Sequence, residues 1–368
     1  MDDEKYVWKH KIKNCYELFD LIQGRGEIED MRRKCIFRGI KKKSYPLCPK
    51  SLRNDGADLN EAISPMETFP YEVSKEIIKE YSIPHEDLEK YGGNYYLRTN
   101  KDYLTPYDLK FNDISLNRLQ IKKECNVLMK FLNHADKNGL KININKDVRD
   151  LIDYSDFYYP EDYWPRENFY ELIGLAQHYG MPTRFLDWSY NYKVSIYFAV
   201  SDILDYKDKD YKKADGILWA FNYKLFYPFN PKNDELSEKF KLRFYRPEYH
   251  SNPNLTAQKG LFTFILNDLY HKDEKPFDDI IIDDFKKNTN NGFSGDSLSR
   301  SHGLTDSDIP EGEKIFYKFI IPSKLKPKIL KEIYEDNYSE EFLFPGYNGV
   351  SNSVKNRVIL DELLAGMM

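Results

Sequence analysis

The side chains in this chain best suited to chemistry are Arg38, within Phe37-Arg38-Gly39; Gln177, His178 and Tyr179, within Gln177-His178-Tyr179-Gly180; and Thr183 and Arg184, within Pro182-Thr183-Arg184. Residues 34–40 alternate like a β-strand, which puts Arg38 on one face with Ile36 and Ile40, and Phe37 on the other with Cys35. A guanidinium on an apolar strand face has to meet an anion or a carbonyl, because burying an unpaired charge is costly. A salt bridge would satisfy it, and so would a ligand oxyanion, which the planar fork of arginine grips at two points. Arg32, Arg33 and Lys34 precede the strand and Lys41, Lys42 and Lys43 follow it. They read either as solvated flanks or as a phosphate-binding patch.

His178 stands at the end of a helix whose apolar positions Phe169, Leu172, Ile173 and Ala176 recur at helical spacing. Gly180 sits at the C-cap position with Pro182 beyond it. Glu171, Gly174 and His178 fall opposite that stripe, and Gly174, lacking a side chain, would let a ligand approach the backbone. His178 could equally cap its own helix. Arg184 and Asp187 read as a pair that fixes the turn from Pro182 to Trp188, with Trp188 in the core. Residues 194–200 are apolar nearly all round and predict a buried helix. The four cysteines, 15, 35, 48 and 125, form no CxxC pair and have no histidine at metal spacing, so free thiols and no metal are expected.

These residues need a globular scaffold, and the 368 residues, 41% apolar and 31% charged, can supply one. A net charge of −5 argues against a general polyanion binder. No apolar run is long enough to span a bilayer, and the N-terminus has no apolar signal region, so a cytoplasmic protein with no membrane partner is expected. Helices are predicted at 14–24, with Asn14 as cap, at 70–82, 115–137 and more weakly 146–154, then after Pro322 and Ser323 to about 334 and over 353–365. Strands are predicted at 216–221, 261–266 and 315–321. Residues 154–164 read as an ordered aromatic loop, 182–189 as a loop and 285–313 as a polar loop.

The run Gly-Leu-Ala-Gln-His-Tyr-Gly-Met-Pro-Thr-Arg-Phe-Leu-Asp-Trp-Ser (174–189), followed by Ile196-Tyr197-Phe198-Ala199, closely resembles the hallmark of the FRG domain family. Phe37-Arg38-Gly39 matches the motif that names the family. Pro49-Lys50-Ser51-Leu52-Arg53, Ala257-Gln258-Lys259-Gly260-Leu261-Phe262 and Leu343-Phe344-Pro345-Gly346 continue the likeness in order over about 33–350. Two stretches depart from it. Phe185 and Ser189 stand where the family tends to have leucine and threonine, and Asn254-Leu255 stand where an arginine is usual. The division implied is a helical lead-in (1–32), an FRG domain (33–350) with a helical region at about 67–165, and a C-terminal helix (351–368).

A looser resemblance is to ADP-ribosyltransferases, which commonly carry an arginine on an early strand and, near the C-terminus, a glutamate leading into a strand. Arg38 matches the first feature and Glu341-Phe342-Leu343-Phe344-Pro345 looks like the second. The resemblance implies an α+β fold of mixed or antiparallel small sheets with a helical insertion, and NAD as substrate. Glu341, His178 and Arg38 would be catalytic, and Arg38, Gln177, His178, Tyr179, Thr183 and Arg184 would bind NAD. A carboxylate beside the ribose would stabilise the positive charge that develops as nicotinamide departs. The acceptor would be a protein or nucleic acid, as for a toxin or anti-phage effector, with an antitoxin or other inhibitory partner. Ser339 breaks the Glu-x-Glu pattern of arginine-directed enzymes. The alternatives are a non-catalytic module binding a nucleotide or phosphate, and a nuclease using His178 and Asp187, for which no metal-ligand cluster is evident.

Overall fold

The computed structural model describes residues 3–53, 71–73, 88–91, 94–97, 108–142, 144–149, 163–205, 214–229, 241–248, 253–268, 275–290, 309 and 312–366. The chain divides into two compact units. The first comprises Met1–Cys48, Phe185–Leu266 and Lys275–Met368, and the second Pro49–Arg184 and Asn267–Glu274.

The first unit is built on seven strands: β1 (Val7–Lys11), β2 (Ile36–Ile40), β7 (Leu186–Ser189), β8 (Gly216–Phe221), β9 (Leu242–Tyr245), β10 (Gly260–Ile265) and β12 (Phe316–Ile321). They form one sheet in the order β1-β12-β8-β2-β7-β10-β9. Edge strand β1 runs parallel to β12, and the other neighbours are antiparallel. Six consecutive buried residues in β8 are explained by its central place, where both faces are covered. The fold is α+β as expected, with a main sheet larger than the small sheets anticipated.

On one face pack α1 (Cys15–Ile22), α4 (Tyr192–Val200), α7 (Lys326–Glu335) and α9 (Tyr347–Ala365), whose apolar side chains join Phe37, Leu218, Ala220, Tyr317 and Phe319 in one core. Asn14 caps α1 by accepting the Glu17 N–H at 3.0 Å. Helix α4 lies so close to β2 that a Cβ on Gly39 would collide with the Ser195 carbonyl oxygen and stand 2.6 Å from Ala199 N. Ser195 Oγ donates to the Phe37 carbonyl at 2.8 Å. Glycine in the Phe-Arg-Gly motif is therefore a packing requirement. Helix α5 (Pro253–Gln258) precedes β10, and on the opposite face α6 (Phe277–Asn290) lays Phe277, Ile281, Ile282 and Phe285 against Ile36, Ile40, Ile217, Phe221 and Phe316.

The second unit contains α2 (Asp108–Lys137), α3 (Tyr170–His178), the two-stranded pair β6 (Tyr163–Trp164) with β11 (Asn267–Asp268), and a three-stranded sheet β3 (Tyr71–Val73), β5 (Asn94–Leu97), β4 (Leu88–Tyr91). Helices α2 and α3 pack together. Among the described residues, no helix is long and apolar enough to cross a membrane.

The predicted strands at 34–40, 216–221, 261–266 and 315–321 form within one or two residues of expectation, as does the buried helix at 194–200. Several expectations are corrected. The lead-in 1–32 is no separate element, since β1 and α1 belong to the sheet unit. The alternation in Val7-Trp8-Lys9-His10-Lys11 is that of an edge strand with two exposed lysines. Strand β7 lies inside the segment expected as a loop, and α6 reaches Asn290 in the stretch expected as a polar loop from 285. Tyr71–Val73 is a strand in place of the start of a helix, and 74–82 lies outside the described residues. So do 150–162, most of the anticipated aromatic loop, and 291–308.

Candidate functional site

Strand β2 pairs with β8 along all five residues on one edge, but with β7 only at Phe37↔Ser189 on the other. From Arg38 onward β2 and β7 part, and the Arg38 side chain reaches across to Asp187 of β7. Its Nη1 donates to the Asp187 main-chain carbonyl at 2.7 Å and stands 2.5 Å from Asp187 Oδ1. The guanidinium thus replaces the missing ladder bond while pairing with a carboxylate on the neighbouring strand. The Arg38 side chain is 14% exposed and that of Asp187 57%, so the pair lies at the rim of the opening. Arg38 Nε is buried and has no hydrogen-bond partner, an uncommon state for an arginine nitrogen.

Across the sheet, Arg38 stands opposite Trp219 of β8, Trp219 opposite Lys318 of β12, and Lys318 opposite Lys9 of β1. All four leave the face covered by α6, on which Ile36, Ile40, Ile217, Phe221 and Phe316 are apolar neighbours. Lys318 Nζ lies 4.6 Å from the Trp219 ring centroid. Burial lowers the pKa of Lys318, and the charges of Lys9 and Lys43 lower it further while Asp278 opposes them.

Asp278, in the first turn of α6, titrates at about 6, raised first by burial and then by the charge of Asp279. Because its folded pKa lies above that of a free aspartate, the folded state is relatively stabilised below about pH 4. That contribution is lost as pH rises through 6. Asp278→Asn is expected to raise stability at pH 8 by on the order of 2 kcal/mol, with the gain shrinking toward pH 4. Thermal melts of both proteins across pH 4–8 check this, and a pH-independent difference would refute it.

In the basic cluster before β2, Arg32 and Lys34 are engaged with carboxylates. Arg32 forks onto Asp30, its Nη2 lying 2.6 Å from Oδ2, and Lys34 Nζ bridges Glu29 at 3.0 Å and Glu313 at 2.7 Å.

The expectation for Glu341 is corrected. It leads into no strand; it lies in α8 (Glu340–Leu343), exposed, accepting from Ser339 Oγ at 3.0 Å and Arg357 Nη2 at 3.4 Å. Leu343 of this helix joins the core on the α4 face of the sheet, whereas Arg38 leaves the opposite face. Glu340 is the buried member of the pair. Its carboxylate takes the hydroxyls of Tyr197 and Tyr334 and the amide of Asn356, all at 2.8 Å, and so ties α8 to α4, α7 and α9.

The remaining sequence candidates lie in the second unit. Arg184 is no open anion ligand: it is 4% exposed, with Nε and Nη2 on Glu124 at 2.8 and 3.1 Å. Its expected partner, Asp187, binds Arg38 instead. Glu124 also accepts from Ser51 Oγ, Gln120 Nε2 and Trp164 Nε1 at 2.8–2.9 Å. Thr183 is likewise buried and donates to Gln177 Oε1 at 2.6 Å, leaving its hydroxyl and that amide oxygen engaged with each other. Gly174 is buried with the apolar stripe, so it offers no open approach.

His178 is half-buried at the end of α3, and burial lowers its pKa, favouring the neutral imidazole. Its ring meets the edge of Tyr179, which is 66% exposed and stacks on Phe131 at 6.5 Å. These two rings keep a surface on which a flat ligand could lie. Sequence reasoning gave Glu124, Trp219 and Lys318 no role. None stands in a motif, and only strand register and helix packing bring them to their partners.

No curated protein and no solved structure matches the chain significantly. The family model of the FRG domain matches residues 115–208, a range that takes in most of α2, α3, the Gln-His-Tyr-Gly run, Asp187 and α4, though not Phe37-Arg38-Gly39. Residues 115–208 of this chain are therefore similar to the FRG domain.

Proposed function

We propose that the sheet unit is an NAD-consuming ADP-ribosyltransferase whose site is the opening between β2 and β7. The observation that carries this reading is the Arg38–Asp187 pair at the rim where the two strands part. A parted sheet offers a crevice for an extended ligand. An arginine at its mouth supplies a fork for phosphate or ribose oxygens, and an exposed carboxylate beside it can face a sugar. When the nicotinamide–ribose bond breaks, its electron pair leaves with nicotinamide and C1′ becomes cationic. A nearby carboxylate stabilises that charge until an acceptor oxygen or nitrogen forms the new bond and loses its proton. Since Glu341 is engaged by Ser339 and Arg357 while Asp187 pairs directly with Arg38, the reading assigns this carboxylate to Asp187, and Arg38 to the phosphate-bearing part of NAD. The acceptor is a protein or nucleic acid, supplied in a test as a cell lysate.

Purified protein incubated with NAD and lysate is expected to release nicotinamide, and Arg38→Ala to lower the rate at least tenfold while its circular dichroism spectrum stays that of the parent. Absence of release from the parent protein sinks the reading. Saturable NAD binding without release would select a nucleotide-binding module instead.

A further inference from the structure

We infer that the row Arg38–Trp219–Lys318, on the α6 face of the sheet, is a binding site for a diphosphate group. The inference rests on the transferase reading for the identity of the ligand that carries the diphosphate, and on its own geometry for the site.

Arg38, Trp219 and Lys318 interrupt a largely apolar sheet face, and register places all three in one row: Arg38 opposite Trp219, and Trp219 opposite Lys318. Each is costly to bury without a partner, and two of the three have an unused donor. Trp219 is 2% exposed and its indole Nε1 is buried without a hydrogen-bond partner. Arg38 has Nη1 committed to Asp187, but its buried Nε has none. The Nε edge of a guanidinium makes side-on, two-point contacts with oxyanions, so the committed nitrogen leaves the more useful edge available.

Lys318 supplies a full charge beside the indole, its ammonium 4.6 Å from the ring centroid. With strands about 4.8 Å apart, Arg38 and Lys318 flank Trp219 about 10 Å apart at the backbone, a gap two long side chains can close around one dianion. Lys9 is the next residue in the row and Lys43 adds charge nearby; Asp278 and Asp279 oppose them. Burial, the first cause of the lowered pKa of Lys318, is a cost that a bound diphosphate would offset alongside Asp278 and Asp279. The row also explains why a sheet interior keeps these three residues where apolar ones would pack more cheaply.

The test titrates inorganic pyrophosphate into the full chain by calorimetry, beside Trp219→Phe, which removes the indole N–H but keeps an aromatic ring, and Lys318→Gln. Saturable binding weakened about tenfold in each variant is the expected result. No binding, or equal binding in all three proteins, overturns the site. Should a variant fail to fold, acylation of Lys318 in the parent protein, read by mass spectrometry, decides: pyrophosphate is expected to slow it several-fold, and unchanged labelling overturns the site.

The two readings fail separately. Pyrophosphate binding without nicotinamide release removes the transferase and leaves the diphosphate site. Nicotinamide release with unaltered KM for NAD in both variants removes the site and leaves the transferase.

Discussion

Glu124→Ala is expected to destabilise the protein by about 3–5 kcal/mol, the largest stability effect of any single substitution considered. Glu124 and Arg184 are each 4% exposed at the side chain, so removing the carboxylate strands a guanidinium away from water. The same change takes an acceptor from Ser51, Gln120 and Trp164. Loss of the partner, more than loss of the attraction itself, is what costs. Glu124→Gln, which keeps one acceptor oxygen, is expected to cost less. The double change Glu124→Leu with Arg184→Met should recover part of the loss, since a buried ion pair is often replaceable by well-packed apolar residues. Urea denaturation of the four proteins measures this; a Glu124→Ala protein as stable as the parent would show that water reaches the cluster.

Asp187→Asn is expected to reduce the rate of nicotinamide release by about 10²–10³-fold at saturating NAD, with KM changed little. Asparagine preserves size and leaves in place the main-chain carbonyl that holds Arg38 at 2.7 Å, so the arginine keeps one of its two anchors. What disappears is the negative charge, which matters most when the ribose becomes cationic. A residue that merely positions Arg38 would behave otherwise: KM would rise with kcat nearly preserved. Glu341→Gln, made alongside, is expected to leave both parameters unchanged, because its exposed carboxylate is bonded to Ser339 and Arg357 and not to Arg38. A kcat loss in Glu341→Gln with none in Asp187→Asn would reverse the assignment.

Much of the scaffold was legible because local patterns and tertiary environment agree. Alternation in 34–40 correctly set Arg38 against the Ile36 and Ile40 face, and the all-apolar run at 194–200 announced a helix covered on every side. Asn14 announced its helix through a side chain that satisfies a backbone N–H three residues on. Strand β7 was hidden by its shortness and by the polar Asp187 and Ser189 in its four residues, whose neighbours Leu186 and Trp188 reach the core only because β10 lines up beside them. Strand β1 was hidden because an edge strand needs only part of one face buried. Glu341 read as a strand lead-in because Phe342, Leu343 and Phe344 are apolar, yet apolarity over so short a run does not separate strand from helix.

By itself the sequence determined the FRG run and the face on which Arg38 leaves its strand, since these depend on residue types and on the two-residue repeat of a strand; the need for glycine beside it came from the approach of α4. Partnership was decided only by the tertiary structure. Arg38 chose Asp187 and Arg184 chose Glu124, 60 positions away, because strand register and helix packing, not spacing along the chain, fix which charges share a low-dielectric interior. The alignment of Arg38, Trp219 and Lys318 in one row has the same origin: residues far apart in the chain become neighbours through the hydrogen-bond ladder of a sheet.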